Sequence, residues 1–249
     1  MCTPVPFRTL GRWLPVLLLS ASTLSAADKG PAAVDAARLL AAESEPGNWM
    51  SYGRTYSEQR FSPLQQVNTE NVSKLGLAWS FDLLTERGIE ATSVVVDGVM
   101  YTTSAWSIVH ALDARTGKHL WTWDPVVAKD KSRHACCDVV NRGVAVWHGQ
   151  VFIGTLDGRL VALDATTGIP NWQVATVDPE LPYTITGAPR VIDGKVLIGN
   201  GGAEFGVRGF IGAYDAGTGK RLWRFYTCLL YTSPSPRDMI PDLVCRLLL

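Results

Sequence analysis

With 249 residues and 23 basic side chains against 23 acidic ones, the chain carries no net charge at pH 7. That excludes the long-range field that draws a protein to nucleic acid or anionic lipid, and it points to small-molecule partners. Nine tryptophans, 23 glycines and 18% charged residues suit a β-rich domain with many tight turns.

The first 26 residues read as an export signal. Arg8 and Arg12 supply positive charge, Trp13 to Leu19 an apolar run, and Leu24-Ser25-Ala26-Ala27 a small-residue cleavage site. The run is too short for a spanning helix of about 20 residues, and no later segment reads as a membrane span. The mature chain is therefore expected in the periplasm, where cysteines pair. Residues 27–47 form a leader in which Ala32 to Glu43, free of Gly and Pro, is expected to be a short helix. From Asn48 the chain leads toward a repeating domain, with Leu77-Ala-Trp-Ser-Phe-Asp82 expected as a strand of its first unit.

Three near-copies then follow, Ala111-Leu-Asp-Ala-Arg-Thr-Gly to Trp121, Ala162-Leu-Asp-Ala-Thr-Thr-Gly to Trp172 and Ala213-Tyr-Asp-Ala-Gly-Thr-Gly to Trp223, each 51 residues after the last. Such a period means stacked supersecondary units. Each copy follows a hairpin signal centred on Asp97-Gly98, His148-Gly149 or Asp193-Gly194, pairs that fit type I′ turns needing positive φ at both central residues. Within each copy the Asp is expected to bind the amides of its own turn, and the Trp to supply an apolar plate between units. Four short strands per unit give an all-β fold, a β-propeller of four-stranded blades, with about three to four blades in residues 48–227.

Between the first and second copies stands Cys136-Cys137-Asp138. Adjacent α-carbons lie about 3.8 Å apart, below the usual disulfide span of about 4.4–6.8 Å, so the pair is either two neighbouring thiols or a tight, strained ring. His134 lies nearby, but none of the four histidines has a metal-ligand spacing. After Thr227 the repeat logic fails: residues 228–249 hold three prolines in eight residues, Pro234 to Pro241, and no hairpin or blade signal. This segment is expected to be non-native read-through, so Cys228 and Cys245 are not read as a disulfide.

The ordered motifs Gly53-Arg-Thr-Tyr-Ser-Glu-Gln-Arg-Phe-Ser-Pro63, Gly88-Ile-Glu-Ala-Thr92, Cys136-Cys-Asp-Val-Val-Asn-Arg-Gly143, Thr184-Ile-Thr-Gly-Ala-Pro-Arg190 and Gly199-Asn-Gly-Gly-Ala-Glu-Phe-Gly-Val-Arg-Gly209 resemble those of the pyrroloquinoline quinone (PQQ) dependent alcohol dehydrogenases, eight-bladed periplasmic quinoproteins. The resemblance implies a vicinal Cys136–Cys137 disulfide lying flat on the PQQ ring. It implies cofactor contacts from Glu90, Arg142, Thr186, Gly202 and Ala203, the Arg142 fork matching a carboxylate. Glu204 would be a calcium ligand, with a lanthanide as the alternative ion. The implied activity is oxidation of a small primary alcohol, with electrons passing to a periplasmic cytochrome or a haem domain.

The catalytic Asp base of that family, the Asn that completes its metal site and the Trp on the other face of PQQ find no counterpart here. No catalytic residue is therefore assigned, and the chain is read as an N-terminal fragment, inactive alone. The competing reading is a non-catalytic periplasmic propeller scaffold of the outer-membrane assembly type. Glu90, Glu204 and the cysteine pair separate the two, because a scaffold has no use for them.

Overall fold

A computed structural model describes residues 30–227; the expected export signal and the segment 228–249 lie outside them. The leader is helical only over α1 (Ala36–Leu40), where the Asp35 carboxylate caps the Arg38 amide at 2.8 Å, and over one 3-10 turn, Ala42–Ser44. The longer helix expected from Ala32 does not form. The carbonyls of Ala32 and Val34 instead accept the Gly149 and His148 amides at 2.9 and 2.8 Å, which holds residues 32–34 on a hairpin of the second sheet. Ala32, Val34, Leu39 and Ala42 are buried in the main core, and Arg38 grips both Asp97 carboxylate oxygens at 2.9 Å. The leader is thus packed into the repeating domain.

That domain is three four-stranded antiparallel sheets. The first holds β1 (Val94–Val96), β2 (Val99–Thr103), β3 (Val109–Asp113) and β4 (His119–Trp123) in sequence order. The second holds β5 (Ala145–Trp147), β6 (Gln150–Gly154), β7 (Arg159–Asp164) and β8 (Pro170–Ala175). The third holds β9 (Arg190–Ile192), β10 (Lys195–Gly199), β11 (Phe210–Asp215) and β12 (Arg221–Tyr226), with β9 beside β5. Each first hairpin turns through two positive-φ residues: Asp97 (50°) and Gly98 (83°), His148 (46°) and Gly149 (76°), Asp193 (47°) and Gly194 (71°). The type I′ expectation holds at all three. The repeat aspartates also behave as expected: the Asp113, Asp164 and Asp215 carboxylates accept the amides of Thr116, Thr167 and Thr218 at 2.7–2.9 Å.

Each Trp plate seats in the next sheet by one rule. The Trp121 indole donates to the Ala165 carbonyl at 3.0 Å, and Trp172 to Ala216 at 3.1 Å. Their rings lie so close to Gly168 and Gly219 that a Cβ on either glycine would stand 2.6 Å away. Trp79 occupies the same slot on the first sheet, donating to Ala114 at 3.2 Å over Gly117. Leu77–Asp82, expected as a strand, carries none: it has the plate of an outer strand, but no inner strand lies beside it among the described residues to complete a ladder.

Beneath β4, buried His110 bonds Ser104 Oγ through Nε2 and Thr122 Oγ1 through Nδ1, each at 3.0 Å. Desolvation, reinforced by neighbouring His119, holds its pKa below the ordinary value. The folded state therefore disfavours the proton, and the stability this site contributes should be full above about pH 6.5 and fall as pH drops through that value. Denaturant midpoints at pH 7.5 and 5.5 check this: the wild type should lose more on acidification than His110→Gln, and equal losses would rule it out.

Candidate cofactor site

The connection from β4 to β5 runs through a 3-10 stretch, Lys129–His134, to the cysteine pair and ends at Gly143. Trp106, in the left-handed region at φ 64°, donates its amide to the Val139 carbonyl at 2.8 Å and so pins the backbone just past the cysteines. Such a backbone costs about 1–3 kcal/mol in a non-glycine residue and persists only where its surroundings enforce it. Asp138 is also left-handed (φ 68°), and its carboxylate pairs with Arg87 at 2.8 Å.

Cys136 and Cys137 are exposed thiols with Sγ atoms 2.8 Å apart. The Cys136 thiol is pushed up to about 11, first by its hydrogen bond with Cys137, then by desolvation, the Cys137 charge and the Glu204 carboxylate. Glu204 is thus brought against the cysteine pair from the third sheet. It sits on the turn Ala203–Phe205, which left-handed glycines bracket, Gly202 at φ 101° and Gly206 at 86°. A Cβ on Gly202 would meet the Pro182 carbonyl at 2.3 Å, so only glycine fits there. The Phe205 ring meets His134 edge-on at 5.7 Å, and His134 Nδ1 is buried with no hydrogen-bond partner. Sequence reasoning gave His134 little weight; its sole signal there was proximity to the cysteines.

Five residues past the pair, Arg142 gathers three segments. Its guanidinium bonds Glu90 Oε2 at 2.7 Å and Thr186 Oγ1 at 2.8 Å. Its own amide donates to the Thr186 carbonyl at 2.9 Å, and its carbonyl accepts the Thr92 amide at 3.1 Å. Glu90, Arg142 and Thr186, read separately from the sequence, are therefore one clamp, with side chains only partly exposed (35% for Arg142, 41% for Glu90). Thr92 and Arg60, which sequence reasoning did not single out, extend it: Arg60 donates to Thr92 Oγ1 at 2.8 Å. Gly202 and Ala203 lie on the Glu204 turn, tied to this clamp through the Thr184–Gly201 bridge. Among the described residues no three His, Cys, Asp or Glu side chains assemble as a metal site, so Glu204 stands as a single carboxylate donor.

A cationic fork held by a carboxylate and a hydroxyl, on the same connection as two polarizable sulfurs that a lone carboxylate approaches, fits a ligand that carries carboxylates and an adjacent hard cation. Fold and motifs together define a segment of a β-propeller built from four-stranded blades. The chain belongs to the PQQ-dependent dehydrogenase family, matching its glucose/ethanol/alcohol dehydrogenase β-propeller domain over residues 49–239. Quinohemoprotein alcohol dehydrogenase ADH-IIG of Pseudomonas putida is 59% identical over 90% of this chain and 31% of its own length. The solved structure of that enzyme superposes with TM-score 0.78 and 63% identity over 80% of this chain and 29% of its own. The 1-butanol dehydrogenase (cytochrome c) of Thauera butanivorans is 62% identical over 68% of this chain and 25% of its own. A europium-containing methanol dehydrogenase gives TM-score 0.73 and 46% identity over 76% of this chain and 34% of its own. The chain thus spans about a third or less of these relatives.

Proposed function

We propose that this segment forms one wall of the PQQ site of a periplasmic alcohol dehydrogenase that oxidises small primary alcohols and passes the electrons to a cytochrome or haem domain. The observation that carries the reading is the Arg142 clamp, which joins Glu90 and Thr186 from two other segments, five residues along the chain from the cysteine pair. PQQ, when bound, supplies the quinone that accepts reducing equivalents from the alcohol. The protein's part is binding and orientation. Arg142 meets a cofactor carboxylate with its planar fork while Thr186 and Glu90 keep that fork from swinging. Cys136 and Cys137, closed as a vicinal disulfide in the oxidising periplasm, present a rigid face to the ring, and the backbone at Gly202-Ala203 lines its edge. Glu204 contributes one hard oxygen ligand to a calcium or lanthanide ion. The similarity to a europium-containing methanol dehydrogenase keeps the lanthanide in view.

The test uses the full-length protein, supplied with PQQ and calcium and then with PQQ and a lanthanide. Alcohol-dependent reduction of an artificial acceptor is expected only with PQQ present. In the same holoenzyme, the Cys136–Cys137 peptide should resist alkylation and be lighter by two hydrogens. Failure to retain PQQ would defeat the reading, and two alkylated thiols in active enzyme would defeat the disulfide.

A further inference from the structure

Asn141, immediately before Arg142, is 2% exposed. A buried amide of this kind costs stability unless its donors and acceptor are all met, and these are. Nδ2 donates to the Gly154 carbonyl at 2.9 Å and to Ser107 Oγ at 3.3 Å, and Oδ1 accepts the Gly143 amide at 3.0 Å. The Asn141 carbonyl accepts Thr103 Oγ1 at 3.2 Å. Ser107 is itself fixed: it is fully buried, left-handed at φ 62°, and its Oγ accepts the Leu156 amide at 3.0 Å. One side chain therefore ties the β2–β3 connection of the first sheet to the end of β6 in the second, and also holds the residue that follows Arg142.

We infer that Asn141 is the positioning residue of the Arg142 clamp: by fixing the backbone on both sides of Arg142, it aims the guanidinium at Glu90 and Thr186 before a carboxylate ligand arrives, and so sets the affinity for the cofactor. The inference rests on the PQQ reading of this wall. Its physical basis is pre-organisation. A fork whose root is locked loses little freedom on binding, whereas a free arginine surrenders rotamer entropy for each bond it forms. Thr103 and Asn141 are both buried, at the root of the clamp.

The experiment is a double-mutant cycle in the full-length protein, read as the dissociation constant for PQQ in calcium buffer, with thermal midpoints of the PQQ-free proteins measured in parallel. Asn141→Ser and Arg142→Met should each weaken PQQ binding tenfold or more. The double variant should bind no worse than Arg142→Met alone, because a positioning residue has nothing left to position. Losses that multiply, or an Asn141→Ser affinity within twofold of wild type, would overturn the inference and reduce Asn141 to a packing residue that moves only the thermal midpoint. If Asn141→Ser does not fold, Thr103→Val removes one hydroxyl and keeps the volume. It should weaken binding severalfold in the wild type and not at all when combined with Arg142→Met, and no loss in the wild type would count against the proposal. Should Arg142→Met itself leave PQQ affinity unchanged, the reading of this wall falls, an outcome distinct from multiplying losses.

Discussion

Replacing Arg142 by methionine in the full-length protein is expected to weaken PQQ binding by about 10- to 100-fold. Charge-assisted hydrogen bonds contribute about 1.5–3 kcal/mol each, and about 1.4 kcal/mol is tenfold in affinity; the partial exposure of the clamp holds the loss to the lower part of that range. The loss has a second component. Without the guanidinium, the Glu90 carboxylate loses the cation 2.7 Å away and faces an anionic ligand. Glu90→Gln added to Arg142→Met should therefore recover part of the affinity, although alone it removes a partner of the arginine 2.7 Å away. Equilibrium titration with PQQ decides the matter. An unchanged single variant, or a further loss on adding Glu90→Gln, would show that the clamp does not hold the cofactor.

Gly168→Ala is expected to destabilise the fold by about 2–5 kcal/mol. The left-handed backbone at φ 73° costs a non-glycine residue about 1–2 kcal/mol. A new Cβ 2.6 Å from the Trp121 ring overpacks a fixed aromatic plate for about 1–3 kcal/mol more. Against a total stability of about 5–15 kcal/mol this is a large fraction. Gly98→Ala is the control: it shares the backbone strain at φ 83° but meets no atom within 4 Å. Denaturant midpoints should fall much further for Gly168→Ala than for Gly98→Ala, and equal shifts would mean that the slot has room to give.

What the sequence made legible was local. The turns at 97–98, 148–149 and 193–194 announce themselves because positive φ at two successive residues leaves few residue choices, and the repeat aspartates because their amide partners sit three residues on. The 51-residue spacing carried the stack of sheets. Pairings over long separations were not legible as geometry: Arg142 meets Glu90 52 positions earlier and Thr186 44 positions later, and only resemblance placed the three in one site. Asn141 stood in the sequence only as one member of the Cys136–Gly143 motif, since its importance lies in what surrounds it. Two local readings failed because tertiary contacts won. Ala32 and Val34 spend their carbonyls on the second sheet and not on a helix, and Leu77–Asp82 has strand-like composition but, among the described residues, no neighbouring strand to pair with. Glu204, which resemblance makes a calcium ligand, lies against Cys136, and the companions a metal needs are not gathered around it among the described residues.

Trp79 bears on how such a molecule is made. It fills the slot of the first sheet from a position earlier in the chain, so a polypeptide emerging amino end first already holds the plug for that slot when the sheet forms. Trp121 and Trp172 are then covered in turn as the second and third sheets arrive, each burying the indole left by its predecessor. Assembly of the described residues can thus advance sheet by sheet, each new sheet covering an indole of the one before it, and among them Trp223 on β12 is 44% exposed. A chaperone or protease surveying nascent chains would meet such an indole-bearing edge between one docking step and the next, and the indole's burial would report that a sheet had docked.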